Sequence, residues 1–318
     1  MNPAQPIFQR LHDNLSTAIV GKQRTLTLAL ITLICRGHLL LEDVPGLGKT
    51  VLARALSKSI DLDFNRIQCT PDLMPSDITG VSIFNQQERR FEFMPGPVFC
   101  NILLADEINR TSPRTQSSLL ECMAEFQVTT EGVTRPLPDV FMVIATQNPV
   151  EYHGTYPLPE AQLDRFFMRL SMGYPDRAAE MQILQQQFTG HPLDRLQVVA
   201  DMAEIRQLQQ AAEKIHIADE VLGYITDLVQ ASREHPDLEL GASPRGALAL
   251  MRAARAAALI DGLDYVTPDQ VIRVAEPVLA HRLILSRAAR MRNTTEAEVV
   301  QALIGQVNVP VLARAERL

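Results

Sequence analysis

Several features of other protein classes are scarce in this chain of 318 residues. It has no Trp and only 5% aromatic residues, which leaves few rings on which the bases of a single-stranded nucleic acid could stack. Its four cysteines, Cys35, Cys69, Cys100 and Cys122, show no C-x-x-C spacing. They therefore predict buried free thiols rather than a zinc site or a disulfide framework.

Long apolar runs are also missing, so no membrane span is expected. The first ten residues lack the basic-then-apolar pattern of a signal peptide, which makes the cytoplasm the expected compartment. The net charge of −7, from 30 basic and 37 acidic residues, argues against nucleic acid as the main partner. With 46% hydrophobic residues, a chain of this length can bury a large core and predicts two domains.

The strongest local pattern lies at residues 39–60. An apolar run at 39–41 predicts a buried strand, a turn containing Gly46 and Gly48 follows, and residues 51–60 have the apolar spacing of a helix. A glycine-bearing turn before a helix lets backbone N–H groups approach a phosphate, and the helix dipole favours its charge. The order strand, loop, helix therefore predicts a phosphate-binding loop rather than an ordinary strand-to-helix turn.

Lys49 and Thr50 supply the chemistry of that loop. The lysine can reach the β- and γ-phosphates of ATP, and the threonine hydroxyl can bind Mg²⁺. The general G-x-x-x-x-G-K-[ST] pattern is imperfect here, because Asp43 stands at its first glycine. Residues 19–20 resemble segments that pack on adenine in phosphate-loop ATPases, although periodicity alone makes them a helix end. The predicted nucleotide contacts are Pro45, Gly46, Leu47, Gly48, Lys49, Thr50, Val51, Ile19 and Val20.

Two later strands end in polar residues. A buried run at 98–105 ends in Asp106 and Glu107, which predicts a Mg²⁺-binding carboxylate followed by one that orients and deprotonates the attacking water. A run at 140–145 leads to Asn148, which could hydrogen-bond the γ-phosphate or the water. Without the phosphate loop, the acidic pair would indicate a solvated turn and Asn-Pro merely a turn.

Two hairpins interrupt this pattern, at residues 81–93 and 127–137, with polar tips at 85–90 and at Glu131 and Gly132. A last strand is predicted at 167–170. Beyond residue 174 every periodic segment reads as helical. We therefore predict an α/β nucleotide-binding core over 1–174 and an all-helical domain over 175–318.

Six segments together resemble the MoxR family of AAA+ ATPases. They are Glu-Asp-Val-Pro-Gly-Leu-Gly-Lys-Thr at 42–50, Thr-Pro-Asp-Leu-Met-Pro-Ser-Asp-Ile-Thr-Gly at 70–80, Ala-Asp-Glu-Ile-Asn-Arg at 105–110, Ala-Thr-Gln-Asn-Pro at 145–149, Gly-Thr-Tyr-Pro-Leu-Pro-Glu-Ala-Gln-Leu-Asp-Arg-Phe at 154–166 and Ser-Pro-Arg at 243–245. The resemblance implies a parallel sheet flanked by helices and followed by a smaller all-α lid. It also places the first hairpin as an insert in helix 2 and the second before sensor 1.

The same resemblance implies a ring-forming, often hexameric ATPase that matures or activates other proteins as a chaperone, commonly with a von Willebrand A domain partner. It assigns Lys49 to Walker A, Asp106 and Glu107 to Walker B, and Asn148 to sensor 1. Arg165 resembles the arginine finger that completes a neighbouring subunit's site, and Arg245 resembles sensor 2. Without the family, Arg165 would read as a surface ion pair with Asp164, and Arg245 as a first-turn helix residue.

Three classes of function fit these patterns. The first is an ATP-driven remodeller of protein complexes. The second is the motor subunit of a chelatase-like metal-insertion or nucleic-acid machine, and here the acidic charge disfavours a helicase. The third is a small-molecule kinase or GTPase, but no N/T-K-x-D segment stands at a strand end as guanine recognition would need.

Overall fold

A parallel sheet of five strands forms the centre of the computed structural model, which describes residues 4–149, 154–188 and 190–310. Its strands lie in the order β2-β5-β8-β1-β9, with bounds β1 Leu39–Glu42, β2 Phe64–Gln68, β5 Ile102–Asp106, β8 Met142–Gln147 and β9 Met168–Leu170. Two antiparallel hairpins lie outside it, β3 Gly80–Asn85 with β4 Arg90–Pro95 and β6 Gln127–Thr130 with β7 Val133–Pro136.

Six helices accompany this sheet in the first part of the chain: α1 Ala4–Ala18, α2 Gln23–Ile34, α3 Lys49–Ile60, α4 Pro75–Thr79, α5 Pro113–Glu125 and α6 Glu160–Leu163. Seven follow: α7 Arg177–Gln187, α8 Met202–Lys214, α9 Asp219–Glu234, α10 Pro244–Ile260, α11 Pro268–Leu279, α12 Arg287–Met291 and α13 Glu296–Gln306. Short 3₁₀ turns cover Ile108–Arg110, Pro192–Arg195 and Ala280–Arg282. The predicted fold class is confirmed, with a helical second part.

The central strands β5, β8 and β1 are buried on both faces because, apart from their carboxyl ends, they are apolar at every position. Alternate side chains point to opposite faces, so Leu39 and Leu41 of β1 join one hydrophobic cluster and Leu40 joins the other. The first cluster includes α1, α2, α3 and most helices of the second part, whereas α5 covers the other face. The sheet and the second part thus share a core, and the predicted division at 174/175 stays a prediction.

Some boundaries differ from the sequence prediction. The strand predicted at 98–105 begins at Ile102, because Val98 and Cys100 are buried in turns and the Asn101 N–H donates to the Asp63 carbonyl. Burial alone makes such a segment look like a strand. Residues 70–80, whose Pro, Asp and Gly content is typical of a loop, contain α4, which the Asp77 carboxylate caps by accepting from the Met74 N–H at 2.8 Å.

The first hairpin stands between α4 and β5, and its base is tightly closed. A Cβ added at Gly96 would lie 2.2 Å from the Ile78 carbonyl oxygen, so only glycine fits there. Its apolar side chains Phe84 and Phe91 pack edge to face at 5.3 Å yet remain exposed. The predicted hairpin is therefore an ordered projection.

The second part contains one strand pair that the sequence did not indicate, β10 Leu238–Leu240 with β11 Ile284–Leu285. Its helices begin at capping signals that are visible in the sequence, such as the capping box of Thr295 with Glu298 before α13. Within the described ranges, no helix is both long and apolar enough to cross a membrane. All four cysteines are free and buried, as predicted, and burial raises the pKa of each thiol to about 12.

Candidate active site

A polar cavity of about 310 Å³ opens where the central strands end. Because all five strands are parallel, their carboxyl ends meet at one edge of the sheet, and the segments after β1, β5 and β8 converge there. The cavity is lined by Pro45, Gly46, Gly48, Lys49, Thr50, Val51, Asp106, Glu107 and Asn148. The structure thus brings together most of the residues that the sequence predicted to bind and cleave a triphosphate.

The loop after β1 presents a helix N-terminus to this cavity. Gly48 has φ of 85° as the N-cap of α3, a left-handed conformation that glycine adopts at little cost. The Lys49 ammonium donates to the Asp43 backbone carbonyl at 2.7 Å. Burial lowers the pKa of Lys49, while Asp43, Asp106 and Glu107 oppose this effect. Backbone donors and a cation therefore face the same space, as phosphate binding requires.

Asp106 is fixed by two neighbours. Its Oδ1 accepts a hydrogen bond from the Thr146 hydroxyl at 2.6 Å, and its Oδ2 pairs with Arg66 at 2.7 Å. A carboxylate and the Thr50 hydroxyl are oxygen ligands of the kind that Mg²⁺ takes, so these two residues fit the ion that a bound triphosphate would carry.

Glu107 adopts a strained backbone conformation for a residue other than glycine, with φ of 58° and ψ of 52°. Its N–H donates to the Thr146 hydroxyl at 2.9 Å. Its Oε2 accepts from Gln68 Nε2 at 2.8 Å and from Arg110 at 3.2 Å. These contacts hold the carboxylate beside the cavity.

Three residues around these carboxylates were not predicted from the sequence, namely Arg66, Gln68 and Thr146. Gln68 and Thr146 are polar residues at the carboxyl ends of β2 and β8. A polar residue at the end of a predicted strand is a usable signal for this site, because Asn148 is predicted from the same kind of position. Arg66 gave no signal, because only the pairing of β2 with β5 puts it next to Asp106.

An apolar cavity of about 280 Å³ adjoins the polar one and shares Gly46, Gly48 and Val51 with it. Both Ile19 and Val20 lie in its wall, as does Leu47. The full lining is Ala18, Ile19, Val20, Lys22, Gly46, Leu47, Gly48, Val51, Met172, Gly173, Pro175, Ile183, Gln186 and Pro192. A flat apolar group could fit here while a linked polar group occupies the neighbouring cavity.

Arg165 and Arg245 lie elsewhere. Both line a third cavity of about 310 Å³, which we call the arginine cavity. Its described lining residues include none of those that line the polar cavity. Five are arginines, Arg36, Arg165, Arg245, Arg252 and Arg282, and the carboxylate among them is that of Asp164.

The strand directions explain this separation. Arg165 comes before β9, whose amino end is tied to that of β1 by the Phe167 N–H donating to the His38 carbonyl at 2.8 Å. The phosphate loop follows the carboxyl end of β1, and β1 and β9 are parallel. With a rise of about 3.3 Å per residue, the four residues of β1 put about 13 Å of strand between the two edges.

Asp164 does not use Arg165 as its partner. Its carboxylate pairs with the buried Arg282 at 2.7 Å and with Arg245 at 3.9 Å, and it accepts from the Ser243 hydroxyl at 3.2 Å. Arg165 instead donates to the Leu120 carbonyl at 2.9 Å. The alternative of an Arg165–Asp164 surface ion pair is therefore wrong.

Comparison with known proteins agrees with this geometry. Residues 38–168 match the model described as "ATPase family associated with various cellular activities (AAA)", and residues 230–303 match an AAA lid domain. The chain is 38% identical to Chaperone MoxR1 of Mycobacterium tuberculosis over 92% of this chain and 79% of that protein. The chain belongs to the MoxR family of AAA+ ATPases. The family predicted from the six segments is confirmed.

Other relatives match over most of the chain. Protein MoxR of Methylorubrum extorquens is 32% identical over 94% of this chain and 92% of its own length. Uncharacterized protein YeaC of Bacillus subtilis is 48% identical over 98% of both chains. A solved structure from Cytophaga hutchinsonii, named "putative ATPase", superposes with a TM-score of 0.90 at 38% identity, covering 97% of this chain and 96% of that one. MoxR membership implies nucleotide binding and supports ATPase activity.

Proposed function

We propose that this MoxR protein forms a hexameric ring of ATPase subunits. The ring couples Mg²⁺-dependent ATP hydrolysis to the remodelling, maturation or activation of partner proteins. The observation that carries the proposal is the division of the predicted catalytic residues. One set lines the polar cavity, and the two arginines line a separate cavity. A subunit built in this way needs a neighbour to complete its site.

Within one subunit the polar cavity would hold the triphosphate, and the apolar cavity would hold the base against Ile19 and Val20. Lys49 would neutralise the β- and γ-phosphates in both the ground and the transition state. Thr50 and Asp106 would hold Mg²⁺, which when bound neutralises charge on the phosphate oxygens.

The residues that follow β5 and β8 would activate the attacking water. Glu107 would orient the attacking water and take its proton, because it is the carboxylate that follows Asp106 at the cavity wall. Asn148 lies at the same wall and would hydrogen-bond the γ-phosphate or the water.

Arg165 and Arg245 would both act on the triphosphate of the adjacent subunit. Arg165 comes before β9, at the edge of the sheet away from its own phosphate loop. The Arg245 side chain is 59% exposed, so it is available to a partner. A guanidinium placed against the γ-phosphate stabilises the charge of the transition state and contributes roughly 10³ to 10⁵ in rate.

Subunit mixing tests the proposal. Arg165→Ala and Lys49→Ala subunits should each be nearly inactive alone. A mixture should be partly active, because mixed rings contain interfaces that pair an intact phosphate loop with an intact arginine. Activity of the native protein should also rise faster than linearly with its concentration until rings form. Light scattering measures assembly, and phosphate release measures turnover.

A matched control is Arg90→Ala, which removes an arginine exposed on the first hairpin and should mix without effect. If Arg165→Ala alone turns over normally, or if a mixture proven to exchange subunits stays inactive, Arg165 is a structural residue and the trans assignment is wrong.

The client side of the proposal rests on the family. A MoxR relative carries the name chaperone, and we propose a von Willebrand A domain protein as the partner and the cytoplasm as the compartment. Glu107→Gln protein held in ATP should retain its partner, whereas Lys49→Ala should not. Co-purification of a von Willebrand A domain protein with the first variant and not the second is the expected result. Equal recovery with both would contradict ATP-dependent engagement.

A further inference from the structure

Asp43 occupies the first glycine position of the phosphate-loop pattern, and its side chain has a defined set of partners. The residue is 7% exposed and directly follows β1. Its carboxylate accepts from the Ser171 hydroxyl at 2.7 Å and from the backbone N–H groups of Met172 and Gly173 at 2.5 and 3.2 Å. Charge-assisted hydrogen bonds of this kind make the burial of a carboxylate tolerable.

These bonds join the two walls of the apolar cavity. Gly46 and Leu47, just after Asp43, form one wall, and Met172 and Gly173 form another. The Asp43 backbone carbonyl also accepts from Lys49. One residue is thus tied to the phosphate-binding lysine through its main chain and to the 171–173 segment through its side chain.

We propose that Asp43 is a positioning residue that fixes the distance between the phosphate loop and the 171–173 segment, so that one ligand can occupy the apolar and the polar cavity together. The inference rests on the proposed binding of ATP across the two cavities. A linked ligand gains affinity from both sites only when their spacing matches its own length. A glycine at position 43 would leave the loop without this tie.

Comparison of ATP with its two halves tests the spacing. Adenosine can occupy only the apolar cavity and tripolyphosphate only the polar one. We expect Asp43→Asn to weaken ATP binding about tenfold and each half by less than about twofold. Displacement of a fluorescent nucleotide from the full-length protein measures all three dissociation constants. Asp139→Asn, at an exposed ion pair with Arg206, is the matched control and should change none of them.

Ser171→Ala provides a second variant that removes only one of the three bonds. It should weaken ATP about twofold to threefold, and combining it with Asp43→Asn should add nothing further, because both changes remove the same contact. Thermal unfolding of each variant shows whether it is folded. If Asp43→Asn does not fold, Ser171→Ala still tests the proposal.

The outcomes separate this inference from the function on which it rests. If Asp43→Asn weakens adenosine or tripolyphosphate as much as ATP, Asp43 builds one cavity and does not set the spacing. If all three affinities stay at the native value while native protein binds ATP, Asp43 has no positioning role. If native protein does not bind ATP, the proposed function itself is wrong.

Discussion

The polar cavity and the arginine cavity differ in how they are built. The first uses strand ends from one edge of a single sheet, and its carboxylates are held by Thr146, Gln68 and Arg66. The second combines residues 36–38, the end of α5 and the segment before β9 with α10 and the 3₁₀ turn at 280–282 of the second part. One half of the predicted catalytic residues is therefore organised within the sheet, whereas the position of the other half depends on how two parts of the chain pack.

Charge makes the same distinction. The polar cavity mixes the Lys49 ammonium with two carboxylates. The arginine cavity has five guanidinium groups against the Asp164 carboxylate among its described lining residues. Such an excess of positive charge attracts an anion, and we propose that the anion is a neighbour's triphosphate. Four predictions test this comparison, beginning with the largest effect.

The largest effect should come from the polar cavity. Lys49→Ala should abolish ATP binding, because it removes the cation that acts on the bound phosphates. Glu107→Gln should keep ATP affinity within about threefold and lower turnover by about 10² to 10⁴, because the carboxylate acts on the water in the transition state. Nucleotide titration and phosphate release distinguish the two variants. Normal turnover by Glu107→Gln would show that another residue is the base.

Arg282 should dominate the stability of the arginine cavity. Its side chain is 3% exposed and also donates to the carbonyls of Phe166 and Phe167, beside Arg165. Arg282→Met leaves the Asp164 carboxylate without its closest cation, so we expect a loss of about 3 kcal/mol in unfolding free energy. Urea unfolding measures it. Native Arg90 forms only exposed ion pairs among the described residues, so Arg90→Met should lower the unfolding free energy by less than about 1 kcal/mol. If both variants lost the same unfolding free energy, the buried Arg282–Asp164 pair would not stabilise the fold more than an exposed pair does.

Acidification should lower the unfolding free energy through His38, which also lines the arginine cavity. This histidine donates through Nε2 to the Met123 carbonyl and accepts from the Val143 N–H through Nδ1, so it is neutral, and burial lowers its pKa to about 4. An unfolded chain takes up a proton below pH 6.5 and the folded one does not. The contribution of His38 to the unfolding free energy is therefore fully present above pH 6.5 and is lost as the pH falls toward 4. At pH 5 the loss is about 2 kcal/mol.

Comparison of native protein with His38→Gln measures that share of the pH dependence. Unfolding midpoints at pH 7 and pH 5 should move closer together in the variant, which has no titrating group at this position. His281, whose pKa burial also lowers, remains in both proteins and contributes to the residual slope. An unchanged difference between the two midpoints would mean that His38 is not protonated on unfolding.

The smallest effect should come from outside both cavities. Shortening the tip between β3 and β4 should change ATP affinity by less than about twofold, because the hairpin lines neither the polar nor the apolar cavity among the described residues. We expect it to lower activity on a partner protein instead. Nucleotide titration of the shortened protein gives the baseline for the other variants, and a large loss of affinity would show that the hairpin shapes the nucleotide site.

Much of the polar cavity could be predicted from sequence because its parts are local. The phosphate loop needs only a strand, a glycine turn and a helix in consecutive residues, and Lys49 and Thr50 follow from that order. Asp106, Glu107 and Asn148 end apolar runs, and parallel strands bring their ends together. Chain order thus predicted an α/β core and the members of this cavity, whereas the parallel sheet with its all-α lid was implied by the resemblance to the MoxR family.

Tertiary structure decided what depends on contacts between distant segments. Only the packing of 164–167 against the second part of the chain puts Arg165 and Arg245 in one cavity, away from their own phosphate loop. Only the pairing of β1 with β9 brings the Asp43 carboxylate to the 171–173 segment, more than a hundred residues later. Hydrophobic periodicity indicates which residues of a segment are buried, but the whole fold decides which other segment packs against them.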